Sequence, residues 1–333
     1  GNNVGHPHMK SCSAHGTGPG ATEMSLPTPA PPPSLPLVAA DVPRQFARRG
    51  DLAEAQFLYG EVARRMLGRL QYIRVQPQAM LDAGCGAGDN LALLRERYAE
   101  AAYTGLDNCE PLLDIARKRH APAGLGAWIG KLARRGPATG FVNADLAATG
   151  LAPESHELVW SNLALHWHRE PHAVLAEWRR ILKVGGLAMF SCLGPATLRE
   201  LRQALGDAGL RTATPAFVDM HDFGDLLVEN GFADPVMDQE ILTLTYRTPE
   251  KLLQDVRALG GNPAAGRRGG LVGRDWRARL CAALEAQRRP DGVIALSIEV
   301  AYGHAWRAAT HRGSAGETRL SVSAIGGRQR DTP

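Results

Sequence analysis

Met80-Leu-Asp-Ala-Gly-Cys-Gly-Ala-Gly-Asp89 is the stretch that decides the fold. It reads as a buried strand that breaks into a glycine-rich turn and opens a helix. The strand end carries an acid, Asp82, and the turn carries Gly84, Gly86 and Gly88. Glycines at such a turn admit positive φ and let the backbone approach a ligand closely. The spacing differs from the GxGxxG dinucleotide loop, and the GK[ST] ending of a phosphate loop is absent.

Working outward, a helix is predicted over 53–70 from the spacing of Phe57, Val62, Met66 and Leu70. Strands then alternate with helices. Strands are predicted at 78–83, 102–107, 140–144, 156–162 and 186–193, and helices at 88–98, 110–119 and 172–183. Gly185-Gly186 reads as the stop between the last helix and its strand. Strands over 236–247 and 293–303 complete a seven-stranded set. Repeated βα units imply an α/β fold with a doubly wound, mostly parallel, Rossmann-like sheet. Ligands on such sheets bind beyond the carboxyl ends of the strands. The helical stretch 251–290 is far longer than a hairpin needs, and it is read as a lid insertion.

Four pieces at strand ends suit one ligand with a cationic amino group and a nucleoside, S-adenosyl-L-methionine (SAM). The turn Gly84, Gly86 and Gly88 comes first, with Asp82 for the amino group. Asp107, followed by Asn108, ends the second strand about twenty residues after the glycines, where an acid can bind both ribose hydroxyls. Asp145 and Leu146 follow the third strand, and Asp145 can accept from the adenine amino group. Val159-Trp-Ser-Asn162-Leu163 closes the fourth strand under the methyl group. A single such piece is often only a tight turn or a helix cap; four in order point to a cofactor site.

Composition bounds the rest. Residues 1–40 hold six prolines between 27 and 36, and Lys10 and Glu23 are their only charges. They read as a disordered tail, as do 310–333, which leaves 41–309 as the folded domain. The tail lacks the arginines of a transit peptide and the apolar run of a secretory signal. No apolar run approaches the length that spans a bilayer, so no membrane partner is expected. Cys12, Cys85, Cys109, Cys192 and Cys281 show no CxxC spacing, which suits reduced thiols in a cytoplasmic protein. Over 251–290 there are nine Lys or Arg and three acids, a balance of +6 against +4 for the whole chain. That predicts an acidic partner for the lid.

From Phe46 to Trp306 the chain resembles the malonyl-[acyl-carrier-protein] O-methyltransferases of biotin synthesis, within the class I SAM methyltransferases. The resemblance rests on Leu81-Asp-Ala-Gly-Cys-Gly86, Trp160-Ser-Asn-Leu-Ala-Leu-His-Trp167, Leu193-Gly-Pro-Ala-Thr-Leu-Arg-Glu-Leu201 and Asp219-Met-His-Asp-Phe-Gly-Asp225. Arg257-Ala-Leu-Gly-Gly261 and Tyr302-Gly-His-Ala-Trp306 add to it. It implies methylation of the free carboxyl of malonyl on acyl carrier protein, with the carrier docking on the basic lid. A second resemblance, over Thr197–Arg202 and Asp222–Leu227, is to the complex I assembly factor that hydroxylates an arginine. Members of the first family usually carry an aromatic–acid pair after the phenylalanine matching Phe46. Here that stretch is Gly50-Asp-Leu-Ala-Glu54, without an aromatic, and Tyr59 is the candidate substitute.

A carboxylate acceptor is ionised at neutral pH, so no catalytic acid–base pair is expected. A cation or donor for the malonyl carboxylate is expected, and Arg199, Arg257 and His166 are the candidates. The histidines of His166-Trp-His168-Arg-Glu-Pro-His172 lack an acidic or thiolate co-ligand at metal spacing, and no metal is expected. Nucleic-acid amino methylators end the fourth strand in Asp/Asn-Pro-Pro-aromatic, whereas here it ends Ser161-Asn162-Leu163-Ala164. A nucleic-acid substrate is therefore not expected. A quinone-type small-molecule methyltransferase remains open on the cofactor half alone.

Overall fold

The computed structural model describes residues 34–35, 37, 39–50, 52–121, 136–260 and 273–309. The expected tails lie almost wholly outside the described residues, and so does 261–272 of the expected lid.

Seven strands form one sheet: β1 (Ala79–Ala83), β2 (Ala102–Asp107), β3 (Thr139–Asn143), β4 (His156–Asn162), β5 (Leu182–Leu193), β6 (Phe232–Tyr246) and β7 (Ile294–Arg307). Their order is β3-β2-β1-β4-β5-β7-β6. The first five pair in parallel, and β7 runs antiparallel to both β5 and β6. The helices are α1 (Asp41–Ala47), α2 (Gln56–Leu70), α3 (Asn90–Arg97), α4 (Glu110–Arg119), α5 (Pro171–Ile181), α6 (Arg199–Asp207), α7 (Met220–Glu229), α8 (Pro249–Ala258) and α9 (Arg274–Glu285).

Strand alternation sorts the core onto two faces. Met80, Tyr103, Leu158 and Trp160 join α2, α3 and α6 in one apolar cluster. Leu81, Leu106, Val159 and Ala188 join α5 and α7 in another. Helices cover both faces, so the central strands carry apolar residues at nearly every position. Asp82, one residue on from Leu81, is turned to the α3 face and fully buried. Strand order reverses between β1 and β4, and a crevice opens there at the carboxyl ends.

Three features differ from the sequence reading. Gly185-Gly186 lies inside β5, because α5 ends at Ile181, where the Glu154 and Ser155 amides take the carbonyls of Arg180 and Ile181. Short α1, α6 and α7 were not predicted. The described residues of the 251–290 stretch hold two helices, α8 and α9, and both contribute core: Leu252, Ala258, Leu280 and Leu284 are buried in the same cluster as Tyr246 and Leu296.

The segment after β5 is tied down on β7. The Glu299 carboxylate accepts from the Ala196 amide (2.6 Å), and its backbone pairs with Gly194 and Thr197. Glu200 accepts from both the amide and the hydroxyl of Ser297. A Cβ on Gly194 would stand 2.5 Å from the Glu299 carboxyl carbon, so a side chain there would push the carboxylate away from the Ala196 amide. The Leu193–Leu201 segment therefore fixes the loop beside the end of β4.

Candidate active site

A cavity lies at the carboxyl ends of β1, β2 and β4, where ligands bind on such sheets. The glycine turn forms its floor. Gly84 has φ +79, and a Cβ there would meet the Ala164 Cβ at 2.3 Å. Gly86 has φ +54, and its amide donates to Asp107 Oδ2 at 2.9 Å. Gly88 stands off the wall. Its carbonyl faces His120 Nε2 at 2.9 Å, so it serves the packing of α4 on the turn.

Asp107 is on the wall, at the end of β2. One oxygen holds the Gly86 amide and the other holds the Cys109 amide, each at 2.9 Å. Burial raises its pKa while these amide bonds oppose the rise. A carboxylate oxygen accepts more than one hydrogen bond, so capacity remains for a ligand diol. Asn108 and Leu112 continue this end of the wall, and Leu146 faces it.

Asp82 stands behind the wall. Tyr103 Oη donates to it at 2.7 Å, and Asn90 Nδ2 lies at 3.4 Å. Burial pushes the Asp82 carboxyl up to about 7. Asn90 is on the wall, so Asp82 reaches the cavity through Asn90. Asp145 is also off the wall: its carboxylate, half exposed, takes His168 Nε2 (2.9 Å) and the Ala147 amide (2.7 Å).

Asn162 is on the wall and held at both ends of its amide. Nδ2 donates to the Tyr59 carbonyl at 3.0 Å, and Oδ1 accepts from the Ser191 hydroxyl at 2.9 Å. The next residue, Leu163, has φ 50, and Leu52, also on the wall, has φ 62. Leucine in this region is strained, and such strain collects at functional sites. Sequence reasoning missed both, since no local pattern announces them.

Aromatic residues close the far side. Trp167 meets Phe46 edge-on at 6.0 Å. Tyr59 donates its hydroxyl to the Leu259 carbonyl at 2.9 Å, and burial pushes its phenol up to about 12. A Cβ on Gly260 would fall 2.3 Å from Trp167. The end of α8 thus presses directly on the wall.

The three proposed carboxylate receivers fall elsewhere. His166 is buried, and burial pushes it down to about 3, so it is neutral. Its Nδ1 accepts from the Leu193 amide at 3.2 Å, which puts the proton on Nε2. Arg199 is exposed and paired with Glu200 at 3.2 Å. Arg257 is exposed on α8. Neither arginine is on the wall. Among the described residues no helix is long and apolar enough to cross a membrane.

The methyltransferase domain family matches residues 81–190. The malonyl-[acyl-carrier protein] O-methyltransferase of Laribacter hongkongensis is 46% identical over 256 residues, 77% of this chain and 84% of that protein. The protein of the same name from Gallionella capsiferriformans is 44% identical over 269 residues, 79% of this chain and 89% of its own length. That of Halorhodospira halophila is 39% identical over 303 residues, 88% and 98% of the two chains. The crystal structure of the YcgJ protein from Bacillus subtilis shares the fold, with a TM-score of 0.50 at 13% identity over 74% of this chain and 100% of that one.

Proposed function

The chain belongs to the malonyl-[acyl-carrier protein] O-methyltransferase family, and we propose that it methylates the free carboxyl of malonyl carried on acyl carrier protein, with SAM as methyl donor. The observation that carries the cofactor half is Asp107, a wall carboxylate fixed by two backbone amides beside a glycine turn in which Gly84 leaves no room for a side chain. SAM supplies an electrophilic methyl group on a cationic sulfur.

The chain's own residues then have defined tasks. Asp107 accepts from the ribose hydroxyls. Asn108, Leu112 and Leu146 bound the nucleobase end. The glycine turn gives close backbone approach, and Asn90, backed by Asp82, meets the amino group. Asn162 and Leu163, held by Ser191, fix the end of the wall where the acceptor enters. No residue need remove a proton, because the acceptor is already an anion. Alignment supplies most of the rate, and Phe46, Tyr59 and Trp167 exclude water. The test is methyl-ester formation from malonyl-carrier protein and labelled SAM, read by mass. Protein that binds SAM yet leaves malonyl-carrier untouched, in an assay where a family member works, would sink this reading and promote the arginine-hydroxylase alternative.

The carrier docks on the basic 251–290 segment in this reading. Arg274 and Arg289 are exposed there, near α6, where Gln287 Nε2 holds the Glu200 carbonyl at 3.0 Å. Replacing both with alanine should raise KM for malonyl-carrier about threefold at low salt and flatten its salt dependence. Turnover of malonyl on a small thioester should stay unchanged. Equal losses on both acceptors would make these arginines structural. Free buried thiols at Cys85, Cys109 and Cys192 suit a reducing cytoplasm.

A further inference from the structure

We propose that Arg49 is the cation that receives the acceptor's carboxylate. This rests on the reading above that the acceptor is a malonyl group. Arg49 follows α1 on the turn that leads to α2. Its guanidinium carbon lies 4.9 Å from the centroid of the Phe46 ring. Its Nη1 is buried and has no hydrogen-bond partner. Among the described residues no acid pairs with it, whereas Arg65, Arg69, Arg117, Arg119, Arg180 and Arg288 each hold one.

A half-buried cation without a counter-ion is costly. Among the described residues the stabilising partners around Arg49 are the face of Phe46 and the dipolar phenol of Tyr59, whose titration its charge pulls down. Burial lowers the pKa of Arg49 itself. An arginine keeps its charge through such a shift. The arrangement is therefore short of one anion.

The chemistry of the acceptor says which anion. Phe46 and Tyr59 are both on the cavity wall. The Tyr59 backbone carbonyl holds Asn162 at the end of β4. Arg49 thus stands against Phe46, which meets Trp167 past the end of β4 and packs with Cys109 and Leu112 past the end of β2. A carboxylate that offers one oxygen as nucleophile has a second oxygen to be held, and a guanidinium fork matches it. Arg49 reaches the wall through Phe46 and keeps a buried, unpartnered Nη1, whereas His166 is neutral, Arg199 is exposed and paired with Glu200, and Arg257 is exposed.

The experiment compares wild type, Arg49→Gln and Arg49→Lys, with three readouts: KM for malonyl-carrier protein, Kd for SAM by calorimetry, and thermal melting. Arg49→Gln should raise KM at least tenfold, change the SAM Kd less than threefold, and melt with wild type. Arg49→Lys should recover part of the KM loss, because a point charge replaces the fork. An unchanged KM in folded Arg49→Gln overturns the proposal. So does a parallel tenfold loss of SAM affinity, which would assign Arg49 to the amino-acid carboxylate of the cofactor. If Arg49→Gln melts early, Arg49→Lys decides: wild-type KM for both acceptor and SAM in that variant, with no recovery trend, overturns it. A wild type inactive on malonyl-carrier is a separate result, which removes the acceptor assignment itself.

Discussion

Acetyl-loaded carrier protein should yield no methyl ester, and succinyl-loaded carrier about 10–200-fold less than malonyl-loaded carrier. The first result follows from chemistry: acetyl has no carboxylate, and the site offers no base to make another nucleophile. His166, beside the wall, is neutral and has Nδ1 committed to the Leu193 amide, and His168, on the wall, has Nδ1 taken by the Glu170 amide and Nε2 by Asp145. The second follows from rigidity. Asn162 is held at both ends of its amide, and Ser191 also accepts the Leu163 amide at 3.0 Å through its hydroxyl. Leu163 is thereby kept at φ 50. A wall fixed in this way cannot slide to admit one more methylene, and a small misplacement of the attacking oxygen costs much of the rate. Methyl-ester mass after equal incubation measures the series. Succinyl turnover equal to malonyl turnover would mean that the site does not gauge acyl length.

What the sequence revealed, and what it hid, divides along the range of the forces involved. The Met80–Asp89 stretch was legible because its pattern is local: an apolar strand, then glycines whose φ values of +79, +54 and +78 other residues rarely adopt. The strand–helix alternation was legible through periodicity. Helices α6 and α7 were not. Their starts depend on contacts with β7, as in Glu200 to Ser297, or on a cap such as Asp219, which accepts from the His221 amide. The Asp219 cap was the one local signal available, and it lay inside a segment read only for resemblance.

The site divides in the same way. Asp107, Gly84, Gly86, Asn108, Leu146 and Asn162 were named from strand ends, and all are on the cavity wall. Strand-end position did not say how deep a side chain sits. Asp82 turned inward to Tyr103, and Asp145 turned outward to His168. Arg49 carried no signal at all. Its neighbours in sequence, Arg48 and Gly50, are both exposed, and only the folded arrangement shows which of two adjacent arginines has a buried, unpartnered nitrogen.

Replacing Asp107 with alanine should weaken SAM binding by one to two orders of magnitude. Each charge-assisted hydrogen bond to a ribose hydroxyl contributes about 1.5–3 kcal/mol, and tenfold in Kd is about 1.4 kcal/mol. The upper end is not reached, because water enters the vacated space and replaces part of the bonding. The substitution has a second cost, independent of ligand. The Gly86 and Cys109 amides lose their acceptor, and an unsatisfied buried amide costs about 1–3 kcal/mol. The variant should therefore melt several degrees lower even without cofactor. Asp107→Asn separates the two effects. An amide side chain keeps one accepting oxygen for the turn but loses the charge and presents a donor to the diol. It should restore part of the melting temperature while leaving SAM affinity at least tenfold down. Calorimetry on folded protein, paired with melting curves, reads both quantities. Wild-type affinity in Asp107→Ala would remove the carboxylate from the cofactor site and leave it only the task of bracing the glycine turn.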